Sequence, residues 1–352
     1  MAKKEQSSCA KFDVGGQAVM EGVMMRSPER TAVAVRQENG RIVARVKPNR
    51  QLAKKYKVLG WPIIRGVVNF IMMMVLGIQT LSESAEMAGM EAEEPSEFEK
   101  KLASKFGKRA EDVMMGVAVV LALALSIGLF FVLPTLVESW IKHVMTGGSA
   151  EVLLSNGQKL LLNLIGGVIR IAMFIGYILL VRNVKEIRRT FMYHGAEHKS
   201  VHCFESGEPL TVENVQKHSR LHPRCGTSFI VIVFLVSIIV YIFLGSNDGG
   251  PLMRVASRLL LLPLVAGVSY EVLRGLAHAG DSAIVRALKW PGMMLQKLTT
   301  AQPDDDMCQV AIEALKCALN TEDCIKEQYV LNSERDKSGA LKPGDEPGAA
   351  RG

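Results

Sequence analysis

The feature that most constrains this chain is a block without charge: Val113 to Leu133 runs for 21 residues as VMMGVAVVLALALSIGLFFVL. At about 1.5 Å per residue a helix of that length covers a hydrocarbon core of roughly 30 Å, and no soluble core needs such a run. Leu160 to Val181 has the right length with Arg170 near its middle, and Ser228 to Leu244 is shorter and rich in Ile, Val and Phe. Pro251 to Tyr270 carries Arg254 and Arg258 in its first half and Pro263 in its second. The sequence therefore predicts a mainly α, polytopic membrane protein with about four transmembrane helices. Mean hydropathy is only +0.19 because polar flanks dilute these blocks, so sizeable aqueous parts are expected.

Orientation follows from Lys and Arg in short loops. Residues 182–227 hold Arg182, Lys185, Arg188, Arg189, Lys199, Lys217, Arg220 and Arg224, whereas the opposite loops hold Lys142, Lys159 and at most Arg254. Lys100, Lys101, Lys105, Lys108 and Arg109 precede the first span, and Arg274, Arg286 and Lys289 follow the fourth. Both termini and the 182–227 loop are therefore expected in the cytoplasm. Pro62 to Leu81 is apolar enough to enter a bilayer but contains Arg65, Asn69 and Gln79, and crossing would export the 13 Lys and Arg of residues 1–61. It reads as an interfacial or re-entrant helix with Trp61 at headgroup level, or else as a helix packed on the other spans. No cleavable signal peptide is expected.

The net charge of +7 is accounted for by loops facing anionic lipid, without nucleic acid. Membrane lipids and other membrane proteins are the expected partners; the sequence gives no oligomeric state. Glu83 to Glu99 reads as a solvated acidic linker, Met307 to Leu319 as a short helix, and the remaining tail as disordered. All six cysteines fall in segments expected on the reducing side, so no disulfide is inferred. The units are thus residues 1–61, 62–112, 113–181, 182–227, 228–275 and 276–352.

Within the cytoplasmic N-terminal unit, Thr31 to Arg36 and Arg41 to Val46 are β-prone runs joined through Gln37-Glu38-Asn39-Gly40, and Asn-Gly supplies the positive φ of a tight hairpin. The glycine-rich segment Gly15 to Arg26 before it has no helical stripe and reads as a structural turn or a ligand loop. It lacks the spacing of the nucleotide-binding motifs.

Five of the seven histidines lie between residues 194 and 222. On a helix continuing the second span, His194 and His198 share one face, so two imidazoles can bind one ion. His194-Gly195-Ala196-Glu197-His198 reads H-x-x-E-H, the reversed order of the zincin helix. In such a site the histidines hold Zn²⁺ and Glu197 takes a proton from water activated by the ion. Gly195 costs roughly 1 kcal/mol inside a helix relative to Ala, and close approach of another backbone is one reason to keep it. Further ligands could come from His222 and Cys225, an H-x-x-C element, from His202, or from Glu271 at the end of the fourth span. Three protein ligands leave a position for water and substrate, while His194, His198, His222 and Cys225 together form a closed structural tetrahedron. A single histidine in a basic juxtamembrane helix is as readily explained by headgroup contact or helix capping. Arg170 in mid-bilayer should face the bundle interior or a wet cavity, or snorkel.

The segments Gly15 to Arg26, Tyr193 to Lys199, Pro223 to Phe229 and Ser269-Tyr270-Glu271 resemble the YqhQ-like family of bacterial membrane proteins over roughly residues 12–300. The resemblance implies an inner-membrane protein described as a predicted metal-dependent enzyme, with no reaction to transfer. The leading expectation is a zinc-dependent hydrolase at the cytoplasmic membrane surface. Glu197 is its general base, and His194, His198, His222, Cys225 and Glu271 are its candidate metal ligands. Arg224, Arg26 and Glu21 are candidate substrate-binding residues for an anionic group. The competing expectation is a scaffold or regulator of other membrane proteins with a structural metal site. Transport is weaker, since no inverted repeat is found.

Overall fold

The computed structural model describes residues 14–49, 57–89, 110–147, 155–223, 225–243, 250–279, 282–320 and 328–329. Four strands come first: β1 (Gly15–Val19), β2 (Gly22–Arg26), β3 (Arg30–Arg36) and β4 (Ile42–Pro48). They form an antiparallel meander, beside which a two-residue strand, β5 (Gln328–Tyr329), adds in parallel to β4. The hairpin expected at Asn39-Gly40 is present, with Arg36 opposite Ile42 and Gly40 at φ +81°. The glycine-rich segment is also a hairpin: β1 pairs with β2, and the turn places Glu21 at φ +49°.

Helices follow: α1 (Ile64–Ala88), α2 (Ala110–Ile127), α3 (Leu133–Met145), α4 (Asn156–Val181), α5 (Lys185–Glu205) and α6 (Val212–Lys217). The last four are α7 (Thr227–Phe243), α8 (Gly250–His278), α9 (Ala283–Thr299) and α10 (Asp305–Leu319). Four stretches among the described residues are long and apolar enough to cross a membrane: Ile64–Ala88, Gly116–Met145, Leu160–Val181 and Gly250–Leu276. Their membership differs from the expectation, because α1 reaches spanning length and α7 is an apolar helix of only 17 residues. Two further details correct the sequence reading. The second span does not run on into the histidine helix, since Val184 is extended (φ −72°, ψ 130°) and α5 starts a new axis. Pro263 does not interrupt α8.

The first long helix continues past Leu133 to Met145 through a π turn at Gly128–Val132. Pro134 has no N–H to give the preceding turn, and the register change routes the Leu133 N–H to the Gly128 carbonyl instead.

The sheet is covered on both faces, and strand periodicity divides its residues between them. Val23, Met25, Ala32 and Ala34 face α5 and α10, where they meet Tyr193, Ala196, Met307, Val310, Ala311 and Leu315. Met24, Val33 and Val35 face Met87 and Ala88 at the end of α1. So α10, read from sequence as a short helix before a tail, is a core element. Glu83 is likewise not a solvated linker residue: it is buried, with Arg45 at 3.0 Å and Lys47 at 2.7 Å. The rest of the expected acidic linker from residue 90 and the expected disordered tail lie outside the described residues. Cys317 is disulfide-bonded, against the expectation of reduced thiols.

Among the apolar helices, Arg170 of α4 and Arg258 of α8 both grip Glu138 of α3, at 2.6 and 2.7 Å, and Arg258 also donates to Thr135 at 2.8 Å. Both guanidinium groups lie over the Tyr241 ring, at 5.8 and 5.4 Å. Arg170 thus faces the bundle interior. The cluster requires Gly166, where a Cβ would fall 1.8 Å from Glu138 Oε1. Removing one partner from a buried charge cluster strands the others, so Glu138→Ala is expected to destabilise the protein by about 3–5 kcal/mol. Thermal unfolding of purified protein in detergent checks this, with an exposed-site control at Glu213.

Candidate metal centre

Helix α5 is unusual in burying its polar residues: Glu197, His198, Lys199 and Ser200 are all buried. They lie beneath the end of α6 and the irregular residues 218–223 that follow it, whose carbonyls would be costly to bury unpaired. Side chains of α5 take them. Lys199 Nζ donates to the carbonyls of Gln216 and His218 at 2.8 and 2.9 Å, His198 Nδ1 to that of Arg220 at 2.6 Å, and His202 Nε2 to that of Leu221 at 2.9 Å. From α9, the fully buried Gln296 accepts the His222 N–H and donates to the His222 carbonyl, each at 2.8 Å.

This arrangement fixes the tautomers. His194 Nδ1 donates to the Thr299 carbonyl at 2.9 Å, as His198 Nδ1 does to Arg220, so both Nε2 lone pairs point elsewhere. They point at Cys225. The ligand atoms of His194, His198 and Cys225 all lie within 4.8 Å of one another, with His194 Nε2 at 3.3 Å from the sulfur. His198 Nε2 is buried and makes no hydrogen bond among the described residues. Burial also holds the His198 ring below the ordinary imidazole pKa, favouring the neutral form that ligates. The Thr227 N–H donates to Cys225 Sγ at 3.4 Å and the Thr227 hydroxyl lies 3.1 Å from it.

Glu197 projects beside them, with Oε2 at 3.4 Å from His198 Nε2. Burial pushes its carboxyl above the ordinary range, partly offset by the imidazoles and by the Gly16 N–H. That contact explains the glycine: a Cβ at Gly16 would fall 2.3 Å from the Met24 carbonyl and 3.1 Å from Glu197 Cγ. Two imidazoles held by carbonyls on their far nitrogens, a thiol with local donors and an orphaned buried nitrogen form a donor set that suits Zn²⁺.

A family model described as "Protein of unknown function (DUF1385)" matches residues 61–321. The chain is also 33% identical over 309 residues to the "Uncharacterized protein YqhQ" of Bacillus subtilis (strain 168), covering 88% of this chain and 92% of the relative. The chain belongs to this YqhQ-like family. No solved structure matches it. The matched region reaches residue 321, past the limit of about residue 300 expected from sequence, and so takes in α10.

The remaining residues nominated from sequence fall in different places within this family chain. His222 lies 5.8 Å, ring to ring, from His198, but its ligand atom groups with those of His202 and Glu205. Glu271 is bound by Arg65 through both carboxylate oxygens. Glu21 is held by Arg189 at 2.6 and 2.5 Å and by the Tyr193 hydroxyl at 3.4 Å, which docks the β1–β2 turn on α5. Arg26 donates to the Met73 sulfur at 3.1 Å. Arg224 lies outside the described residues. Sequence reasoning missed Gly16, Gln296 and Thr299 as supports. Gln296, a buried amide on the amphipathic helix α9, was the most findable of them.

Gly195 faces the chain entering α10, where a Cβ would sit 2.2 Å from the Ala301 carbonyl; the close approach that its place in a helix suggests is therefore real. Gly195→Ala must push the 299–303 segment away, taking the Thr299 acceptor from His194. A loss of about 1–3 kcal/mol is expected from such overpacking. Metal content should fall with it, read by elemental analysis beside thermal unfolding.

Proposed function

We propose that this protein is a membrane-embedded, zinc-dependent hydrolase acting at the cytoplasmic membrane surface of a bacterial cell. The observation that carries the reading is the buried Nε2 of His198, without a hydrogen bond among the described residues, grouped with Cys225 while Glu197 Oε2 stands 3.4 Å away. Groups of this kind are expensive to leave unused in an interior. His194, His198 and Cys225 hold the ion, which when bound supplies Lewis-acid activation of water near neutral pH. Three protein ligands leave a position open for substrate. Glu197 accepts the proton of the attacking water at Oε2, steadied by the Gly16 N–H. Arg224, next to Cys225 in sequence, orients an anionic group. A cavity of about 480 Å³ lined by Pro223, Ser228, Ile232, Tyr270, Arg274 and Lys289 suits an amphiphile with a negative head.

The cytoplasmic side is supported by the Lys and Arg bias of residues 182–227. Packing supports an interfacial α1. Its first turns meet the ends of α7 and α8 next to the site, through Phe70–Phe229 at 5.7 Å and Asn69 to Tyr270 at 2.9 Å. Its last turns meet the β1 strand and turn, through Gln17 to Thr80 at 2.7 Å and Met20 to Ser84 at 3.1 Å. The first turns thus rest on α7 and α8 and the last on the sheet, with Ile71, Met74, Val75 and Ile78 exposed between them. The Cys317 disulfide pulls the other way, since such bonds persist chiefly in oxidising compartments.

One observation favours a second reading, a scaffold with a structural metal: His198 already holds the Arg220 carbonyl and His194 that of Thr299, so both imidazoles tie segments of the fold together. Glu197→Gln separates the two. In a hydrolase the variant keeps its metal and fold but fails to complement a deletion strain; in a scaffold it complements. For sidedness, cysteine introduced at exposed Lys217 is expected to react with a membrane-impermeant maleimide in inside-out vesicles and not in intact spheroplasts.

A further inference from the structure

The histidine row does not stop at the first centre. We propose that His202, Glu205 and His222 form a second divalent-cation site, free of thiolate and separate from the one at Cys225. Their ligand atoms lie within 4.8 Å of one another. His202 continues the i, i+4 series of His194 and His198 on α5, and Glu205 follows three residues later, so both project from one face. The His222 ring comes from the opposing segment, at 4.6 Å from the His202 ring, with Nε2 at 3.4 Å from Glu205 Oε2.

Two features separate this group from a casual cluster. The His222 backbone is clamped at both N–H and C=O by the buried Gln296, so its imidazole is positioned by the fold itself. His202 is oriented by its bond to the Leu221 carbonyl, the outer support that ligating imidazoles commonly have. The donors are two nitrogens and a carboxylate, a set that suits borderline first-row dications such as Zn²⁺, whereas the first centre adds a soft thiolate. The Glu205 side chain is 32% exposed, so an ion here is open to solvent and to an anionic ligand. The neighbouring trio of Cys203, Glu208 and His218 is not a third site by the same reasoning. Burial raises the Cys203 pKa, and its thiol points at the carbonyls of Glu208 and Pro209.

Cobalt distinguishes the two sites, because only a thiolate ligand gives a sulfur-to-cobalt charge-transfer band. The full chain, purified in detergent and stripped with a chelator, is titrated with Co²⁺. Two equivalents are expected to bind, with the band accompanying one of them. In Glu205→Gln and His202→Ala one equivalent should be lost while the band stays, which also reports that the fold is intact. In Cys225→Ser the band should go and a second, thiolate-free equivalent should remain. One equivalent with the band in the unaltered protein overturns the second site and leaves the first centre standing. A single equivalent without the band, lost in His202→Ala, does the reverse. Two equivalents unchanged by both substitutions overturn the assignment to these residues.

Discussion

The site depends on one exchange of hydrogen bonds. A segment formed by the end of α6 and the irregular residues 218–223 is pressed against a helix with too few backbone partners of its own, and the helix answers with side chains. His198, Lys199 and His202 each give a proton to a carbonyl of that segment. For lysine the exchange ends there. For a neutral histidine it cannot, because a ring that donates from one nitrogen presents a lone pair on the other. Satisfying the segment therefore leaves ring lone pairs that could serve a metal, and at His198 the second nitrogen lies buried and without a hydrogen bond among the described residues. Structure and chemistry share the same atoms, which is why the histidines alone do not decide between catalytic and structural roles. Glu197 makes no bond to that segment, and so it carries the distinction.

The polar unit holds α5 in place from three directions. Its sheet contributes the Gly16 backbone, α10 fills the space under Tyr193 and Ala196, and the chain entering α10 fits against Gly195. Arg189 and Glu21 close the edge. Gly16 and Gly195 lie where backbone comes closest, since a Cβ at either would collide with a carbonyl.

The legible parts were those in which local chemistry decides the structure. Asn39-Gly40 specifies its hairpin, the uncharged block at Val113 specifies a long apolar helix, and the His194–His198 spacing specifies a shared face. Parts that depend on distant partners were not legible. The β1–β2 hairpin is rich in glycine and methionine, with Val19 and Val23 its β-branched residues, and what covers its faces comes from α1, α5 and α10, far along the chain. Helix α10 is short and follows a Pro-Asp-Asp-Asp run that reads as solvent-facing; only the sheet opposite makes Val310, Ala311 and Leu315 a core. Glu83 looks like the start of an acidic run until Arg45 and Lys47 arrive from β4. Glu271 has the right composition for a ligand, but Arg65, some two hundred residues earlier in the chain, claims it.

The Glu138 cluster bears on the site through geometry. Charges among apolar helices are tolerated only when paired, and here one carboxylate serves two guanidinium groups, so α3, α4 and α8 cannot slide past one another without stranding a charge. Tyr241 extends the lock to α7 by lying under both cations and donating to the Arg258 carbonyl at 3.4 Å. The other end of α7 begins at Thr227, whose N–H and hydroxyl face the Cys225 sulfur. The helix is a rigid rod of 17 residues, so fixing it at Tyr241 limits how far Thr227 can move. The intramembrane charges are thus mechanically continuous with the thiol, about four helical turns away by the rise of an α-helix. A site at the surface of a bundle needs such an anchor if its ligands are to keep their spacing while lipids move around it.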